Sequence, residues 1–379
     1  MIGVPVARVL GIEIRVQLGW VLVLALIGAL AVDQIQTAST GMEPAIAWLL
    51  GGLVAAGFFL SSAIHDLVHA LVARSRGIAV PAIAVSFFGG STPLDPTATT
   101  ARDDLAIALS GPAASLAIAG VCAVLGAGAA AVGGDLTTIA TILAAMLVLN
   151  LLLGGVNLVP AYPLDGGRVV RAIAWARSGS ERTGWRVAAT SGRVTGLVAI
   201  GAGFILLAYG GTWNGVMVAL SGWFLILSAR SIRERVRLDE LLGGLHVRDA
   251  MEEATVTVHR SLSIDTFADQ LVSGTASMVV VPVVEDDAVV GIVGLRQVRG
   301  LRRDRWPTTR VQDVMVAPPR LVLLSPDADL TSSVGTIGQA NVDGLPVVDG
   351  QGRLLGLLTR RGLRTFIGAR IGIAGTGRL

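Results

Sequence analysis

Leu147-Val-Leu-Asn150-Leu-Leu-Leu-Gly-Gly-Val-Asn157-Leu-Val-Pro160-Ala-Tyr-Pro163-Leu-Asp165-Gly-Gly-Arg168 closes a run, residues 136 to 164, that holds no charged side chain. A helix crosses a bilayer with roughly 20 apolar residues, so this run is long enough for one span. Its two prolines then break the helix and present a carboxylate, Asp165, beside two flexible glycines. Working outward, further charge-free stretches cover residues 16 to 32, 44 to 64, 105 to 134 and 194 to 229. The last is long enough for two helices around Gly210-Gly-Thr-Trp-Asn214, which makes six crossings.

Composition agrees. Of 379 residues, 53% are hydrophobic and 15% charged, and the mean hydropathy is +0.69, values that exclude an ordinary soluble protein. The 48 glycines lie scattered through apolar runs with no fixed period, which fits packed membrane helices and excludes collagen or disorder. The single cysteine, Cys122, rules out an internal disulfide or a thiolate cluster, so any metal must take nitrogen and oxygen ligands.

All thirty basic residues are arginine, and their distribution orients the spans. Arginines gather at 74, 76 and 102, from Arg168 to Arg193 and from Arg230 to Arg237, whereas the connections near Asp33 to Glu43, Asp135 and Gly210 to Asn214 carry none. By the positive-inside rule both termini are cytoplasmic. The sequence pI of 9.9 accompanies a net charge of only +3, so no nucleic-acid partner is expected. Ala29-Leu-Ala31 could pass for a signal-peptidase site, but the apolar run before it exceeds a signal core of about 7 to 15 residues, and the span is read as retained.

A membrane domain thus occupies residues 1–237. From 246 to 372 the chain is charged and alternates short Val/Ile/Leu runs with turn residues, as a soluble α/β domain does. It repeats internally: Val247-Arg-Asp-Ala-Met251 recurs as Val311-Gln-Asp-Val-Met315, and Pro282-Val-Val as Pro346-Val-Val. Gly291 maps to Gly356 with one inserted residue, giving two β-α-β-β-α units over about 246–304 and 310–372.

Chemistry is sought where polar groups interrupt the apolar spans, because ionisable side chains there cost several kcal/mol and mostly face a protein interior. In Ile64-His65-Asp66-Leu67-Val68-His69-Ala70 the two histidines, at i and i+4, share one helical face and can reach one metal ion, with an acid between them. The bland alternative places both imidazoles among headgroups and water at the interface. For Asp165 the bland alternative is an exposed helix terminus. In the inferred topology spans two and four both run inward, so His65, His69 and Asp165 share one depth. Three such ligands with an open fourth position form the arrangement of a hydrolytic zinc site.

At these residues the chain resembles the site-2 protease family of intramembrane zinc metalloproteases, in its subgroup with tandem CBS domains. The resemblance spans nearly the whole chain. It rests on His65 to His69 against a HExxH signature, and on Asn157 to Gly167 against N-x-x-P-x-x-P-L-D-G-G. It is supported by Phe88-Gly-Gly90, Ser110-Gly-Pro112 with Ser115, and Asn150. The resemblance implies one zinc ion per chain held by His65, His69 and Asp165, Asp66 as the catalytic acid/base, and Asn157 positioning substrate or an oxyanion. It also implies a bacterial plasma-membrane protein that cleaves single-span substrates such as anti-sigma factors. The family's glutamate is here Asp66, shorter by one methylene, so a non-catalytic membrane regulator on the same scaffold stands as the rival.

Residues 79 to 94 read as strand, ending in a Gly-Gly turn after the histidine helix. The resemblance implies a small membrane-associated sheet that an unwound substrate joins by strand addition. A hairpin without a substrate role is equally compatible with the residues. Gly111, Pro112 and Ser115 read as close helix packing. CBS modules often sense adenine nucleotides and pair two chains, and both are carried as expectations. Thr359 matches the family's phosphate-and-ribose segment, the aspartates of that segment are missing, and Arg296, Arg360 and Arg361 are candidate phosphate contacts.

Overall fold

The computed structural model describes every residue except 1–2, 39–40, 86–98, 135, 254–255, 273–279, 319, 341 and 377–379. The chain divides into two compact units, Met1–Val236 and Arg237–Leu379.

Among the described residues, six helices are long and apolar enough to cross a membrane: α1 (Gly19–Ala38), α2 (Pro44–Ser75), α3 (Ala101–Val132), α4 (Leu136–Asn157), α6 (Glu181–Ala208) and α7 (Thr212–Leu242), the last running past the end of the first unit. They coincide with the charge-free runs that the sequence reading took for six crossings. Local sequence sets their ends. Pro44 opens α2, where its missing N–H is no loss. Thr100 caps α3 by accepting from the Asp103 amide at 3.2 Å, and Ser180 caps α6 through the Thr183 amide at 3.3 Å. The fourth span stops at Asn157. Asp165 opens a separate helix, α5 (Asp165–Ser178), which ends at Gly179 in the left-handed conformation, φ 70°.

Small residues bring the spans together backbone to backbone. A Cβ on Gly196 would lie 2.6 Å from the Gly222 carbonyl oxygen, and one on Gly203 or Gly215 would lie 2.7 Å from the other's carbonyl oxygen. These glycines recur every seven residues on α6 and α7 and form a close seam, onto which the Leu207 and Ile226 side chains also pack. Between α1 and α2, a Cβ on Gly51 would lie 2.7 Å from the Gly28 carbonyl oxygen and 2.6 Å from the Val32 side chain.

The N-terminal segment contains two strands that the sequence reading did not place. Strand β1 (Val4–Val9) turns at Leu10 and Gly11, φ 50° and 79°, into β2 (Ile12–Val16). The parallel partner of β2 is β3 (Ala82–Val85), with Glu13 opposite Ala82 and Val16 opposite Val85. Of the strand-like stretch 79–94, residues 79–85 are described, and β3 is their strand. Residues 86–94, with Phe88-Gly-Gly90, lie outside the described residues. Ile12, Val80, Ala70, Ala73 and Ile107 form one buried cluster, which anchors this sheet at the α2 end that follows the histidines.

The second unit contains β4 (Val258–His259), α8 (Ile264–Val272), β5 (Val280–Glu285), β6 (Ala288–Gly294), α9 (Leu295–Arg299), α10 (Val311–Val314), α11 (Leu330–Gln339), β7 (Gly344–Val348), β8 (Leu354–Thr359) and α12 (Arg360–Thr376). The β5–β6 and β7–β8 hairpins carry register shifts at equivalent places, Val283/Val284 and Val347/Val348. The repeats exchange contacts: Glu252 bridges to Leu357 while Val316 bridges to Ile292, and the Met251 and Met315 side chains press against Gly356 and Gly291. Each repeat thus finishes the other's hairpin, and their cores could not form separately without exposing those strands.

Candidate metal centre

His65 and His69 project from one face of α2, a turn apart, and meet Asp165 at the first position of α5. The His65 Nε2 to His69 Nε2 distance is 3.2 Å, and Asp165 Oδ2 lies 3.1 Å from the first and 3.2 Å from the second. The potential ligand atoms all fall within 4.8 Å of one another, and His65 is buried. Ligands at 2.0–2.1 Å from a tetrahedral ion stand about 3.3 Å apart, so this triangle matches one face of a zinc tetrahedron.

Helix α3 orients both rings from their far nitrogens. His69 Nδ1 lies 2.7 Å from the Ile107 carbonyl oxygen, a pure acceptor, so this nitrogen carries the proton and donates it. His65 Nδ1 lies 2.9 Å from Ser115 Oγ, which is fully buried. The Ser115 hydroxyl can accept from His65 Nδ1 as the Ile107 carbonyl does from His69, and in that tautomer both Nε2 lone pairs face one point, an arrangement that repels itself unless a cation or proton lies between them. Gly111 sits on the same face of α3. A Cβ there would overlap His69 Nε2 and come within 2.7 Å of His65 Nε2. Ile107, Gly111 and Ser115, at intervals of four, thus form a stripe that seats the imidazoles. The sequence had suggested helix packing for Gly111 and Ser115. They do pack, and the surface they pack against is the pair of rings.

Asp165 is fixed by close approach. A Cβ on Gly166 would overlap the Leu158 and Val159 carbonyl oxygens, and one on Gly167 would come within 2.6 Å of the Ala161 backbone. These glycines supply room for the loop 158–164 to lie against the start of α5, and flexibility plays no part. A turn farther along α5, Arg168 and Arg171 reach Asp104 of α3. Arg171 Nε donates to Asp104 Oδ2 at 2.8 Å and its Nη2 to Oδ1, while Arg168 Nη2 donates to Oδ1 at 3.3 Å. The Arg171 guanidinium also covers the Trp185 ring at 4.2 Å. Asp104 is 0% exposed and the two arginines 8% and 7%, so these groups belong to the interior, although the sequence counted the arginines among interfacial charges.

Asp66 follows His65 on α2 and is half-buried. The Asn157 amide nitrogen donates at 2.8 Å to the Leu153 carbonyl in the last turn of α4. In the second unit Thr359 Oγ1 donates to Glu252 Oε2 at 2.8 Å, and Arg360 donates to the Ile337 and Ala340 carbonyls at 2.8 and 2.9 Å. Arg296 lies 3.7 Å from Asp343. The candidate phosphate contacts at 296, 359 and 360 therefore have partners within the chain.

The model of peptidase family M50 matches residues 129–200, and that of the CBS domain residues 311–369. Rip3 of Mycobacterium tuberculosis, which bears a zinc-metalloprotease name, is 34% identical over 334 residues, covering 87% of this chain and 84% of Rip3. The protein sll0528 of Synechocystis, named likewise, is 28% identical over 366 residues, 94% of this chain and 93% of that one. The solved site-2 protease from Methanocaldococcus jannaschii is 23% identical with a TM-score of 0.36, covering 60% of this chain and 94% of that chain.

Proposed function

The chain belongs to peptidase family M50, and from that premise we propose that it is an intramembrane zinc endopeptidase that hydrolyses peptide bonds of membrane-spanning substrate proteins. The observation that carries this reading is the triangle of His65 Nε2, His69 Nε2 and Asp165 Oδ2, with edges of 3.1–3.2 Å. These three atoms would hold the ion, which when bound supplies Lewis acidity toward the scissile carbonyl. Ser115 and the Ile107 carbonyl keep the rings turned toward it. Asp66 is the group that takes a proton from the attacking water and returns it to the leaving amine. Its side chain is a methylene shorter than glutamate, and a misplacement of about 1 Å can lower a rate on the order of a hundredfold. Asn157, with one amide hydrogen on the Leu153 carbonyl, would donate its second to a developing oxyanion.

The arginine bias supports a cytoplasmic location for both termini and for the second unit, and a site near the cytoplasmic leaflet of a bacterial plasma membrane. We assign the second unit a regulatory role. An adenine nucleotide at Thr359 would have to displace Glu252.

The test compares purified wild type, Asp66→Glu and Asp66→Asn for bound zinc and for cleavage of a model single-span substrate. The proposal expects about one zinc per chain in all three, cleavage by wild type, and none by Asp66→Asn. Zinc without cleavage in wild type, restored by Asp66→Glu, would identify the non-catalytic regulator. Wild type without zinc would end the hydrolase reading.

A further inference from the structure

We propose that Asp104, together with Arg171 and Arg168, is a positioning cluster that sets Asp165 against the histidine pair and so tunes zinc affinity; this rests on the zinc reading above. Helix α3 supplies none of the three ligands, yet contacts around all of them trace back to it. Ile107 and Ser115 hold the two imidazoles through Nδ1. The third ligand stands on α5, and Asp104, one turn before Ile107, pairs with α5 through Arg168, one turn after Asp165, and through Arg171. The cluster therefore joins, within a turn on each side, the helix that orients the rings to the helix that presents the carboxylate. Its anion is fully buried. A pair buried this deeply has an almost fixed geometry, because an unpaired charge there is strongly disfavoured. The Nε–Oδ2 and Nη2–Oδ1 contacts of Arg171 form a two-point fork, which fixes angle as well as distance. Rotation of α5 about its axis, which would swing Asp165 away from Nε2 of His65 and His69, would break this fork first.

The experiment uses the full chain in detergent. Zinc affinity is read by chelator competition, and the visible spectrum of the cobalt-substituted site reports its geometry. Groups that orient metal ligands typically change affinity about 10–100-fold when removed, and Asp104→Asn is expected to weaken zinc by that order and to shift the cobalt spectrum, with helix content unchanged. Arg171→Lys keeps the charge but loses the fork, and a smaller loss in the same direction is expected. Wild type that takes up no zinc overturns the zinc reading itself. Wild type that binds zinc, with a folded Asp104→Asn binding equally well, overturns the positioning role alone. If Asp104→Asn does not fold, Arg171→Lys decides: weakened zinc supports the role, and unchanged affinity reduces the cluster to an ion pair that serves only the fold.

Discussion

A single methyl group at position 111 tests the centre without replacing a candidate ligand. Its carbon would occupy space that His69 Nε2 already fills and would crowd His65 Nε2, so Gly111→Ala is expected to lose bound zinc, from about one per chain to near none. Gly120 lies two to three turns farther along α3 and has nothing within 4 Å of an added Cβ. Gly120→Ala should keep its zinc, and metal analysis of the two variants side by side makes the comparison. The ligand candidates stood out in the sequence because histidine and aspartate inside apolar spans are costly and need a reason. Ser115 was noticed only within the resemblance and was read as helix packing. A serine among alanines and glycines in a membrane helix is ordinary packing, and only the 2.9 Å contact to His65 distinguishes it. Asp104, Arg168 and Arg171 were hidden for a different reason: at the ends of spans, charges read as topology markers, and burial cannot be seen in a string of letters.

Between α6 and α7 the seam of Gly196, Gly203, Gly215 and Gly222 leaves no room for a side chain. Gly196→Val should destabilise the membrane unit by about 1–3 kcal/mol, the usual cost of overpacking, read as a lower unfolding midpoint in detergent. Gly201, with no neighbour within 4 Å, is the control, and Gly201→Val should unfold close to wild type. The spans themselves were legible from the charge-free runs, since a bilayer selects segments first by their hydropathy. The β1–β2 hairpin was passed over although Val4, Val6, Ile12 and Ile14 alternate around a Leu-Gly turn. Six residues of strand carry far less signal than a helix of twenty, and the pairing of β2 with β3 joins segments separated by two spans. The start of α5 was obscured by its continuity with the apolar run, because prolines announce that a helix stops and say nothing about where the next begins.

Across the whole chain, arginine placement makes a topological statement open to direct test. In a Cys122→Ser background, Thr212→Cys is expected to react with a membrane-impermeant maleimide from outside intact cells, and Ser261→Cys only after lysis. Labelling in the reverse pattern would invert the orientation. The internal repeat was legible from spacing alone, but the exchange of Met251 and Met315 between repeats was not, since a 64-residue offset is the same whether two units stand apart or complete each other. Exposed and buried charge pairs can be compared directly. Arg248 and Asp327 of the second unit meet at 2.6 Å with both side chains largely in solvent, whereas Asp104 and its arginines lie inside the first. Mobile ions screen only what they can approach. Raising potassium chloride should therefore soften the second unit's surface pairing while leaving metal retention in the first unchanged, a tolerance of brine set by the depth of one aspartate.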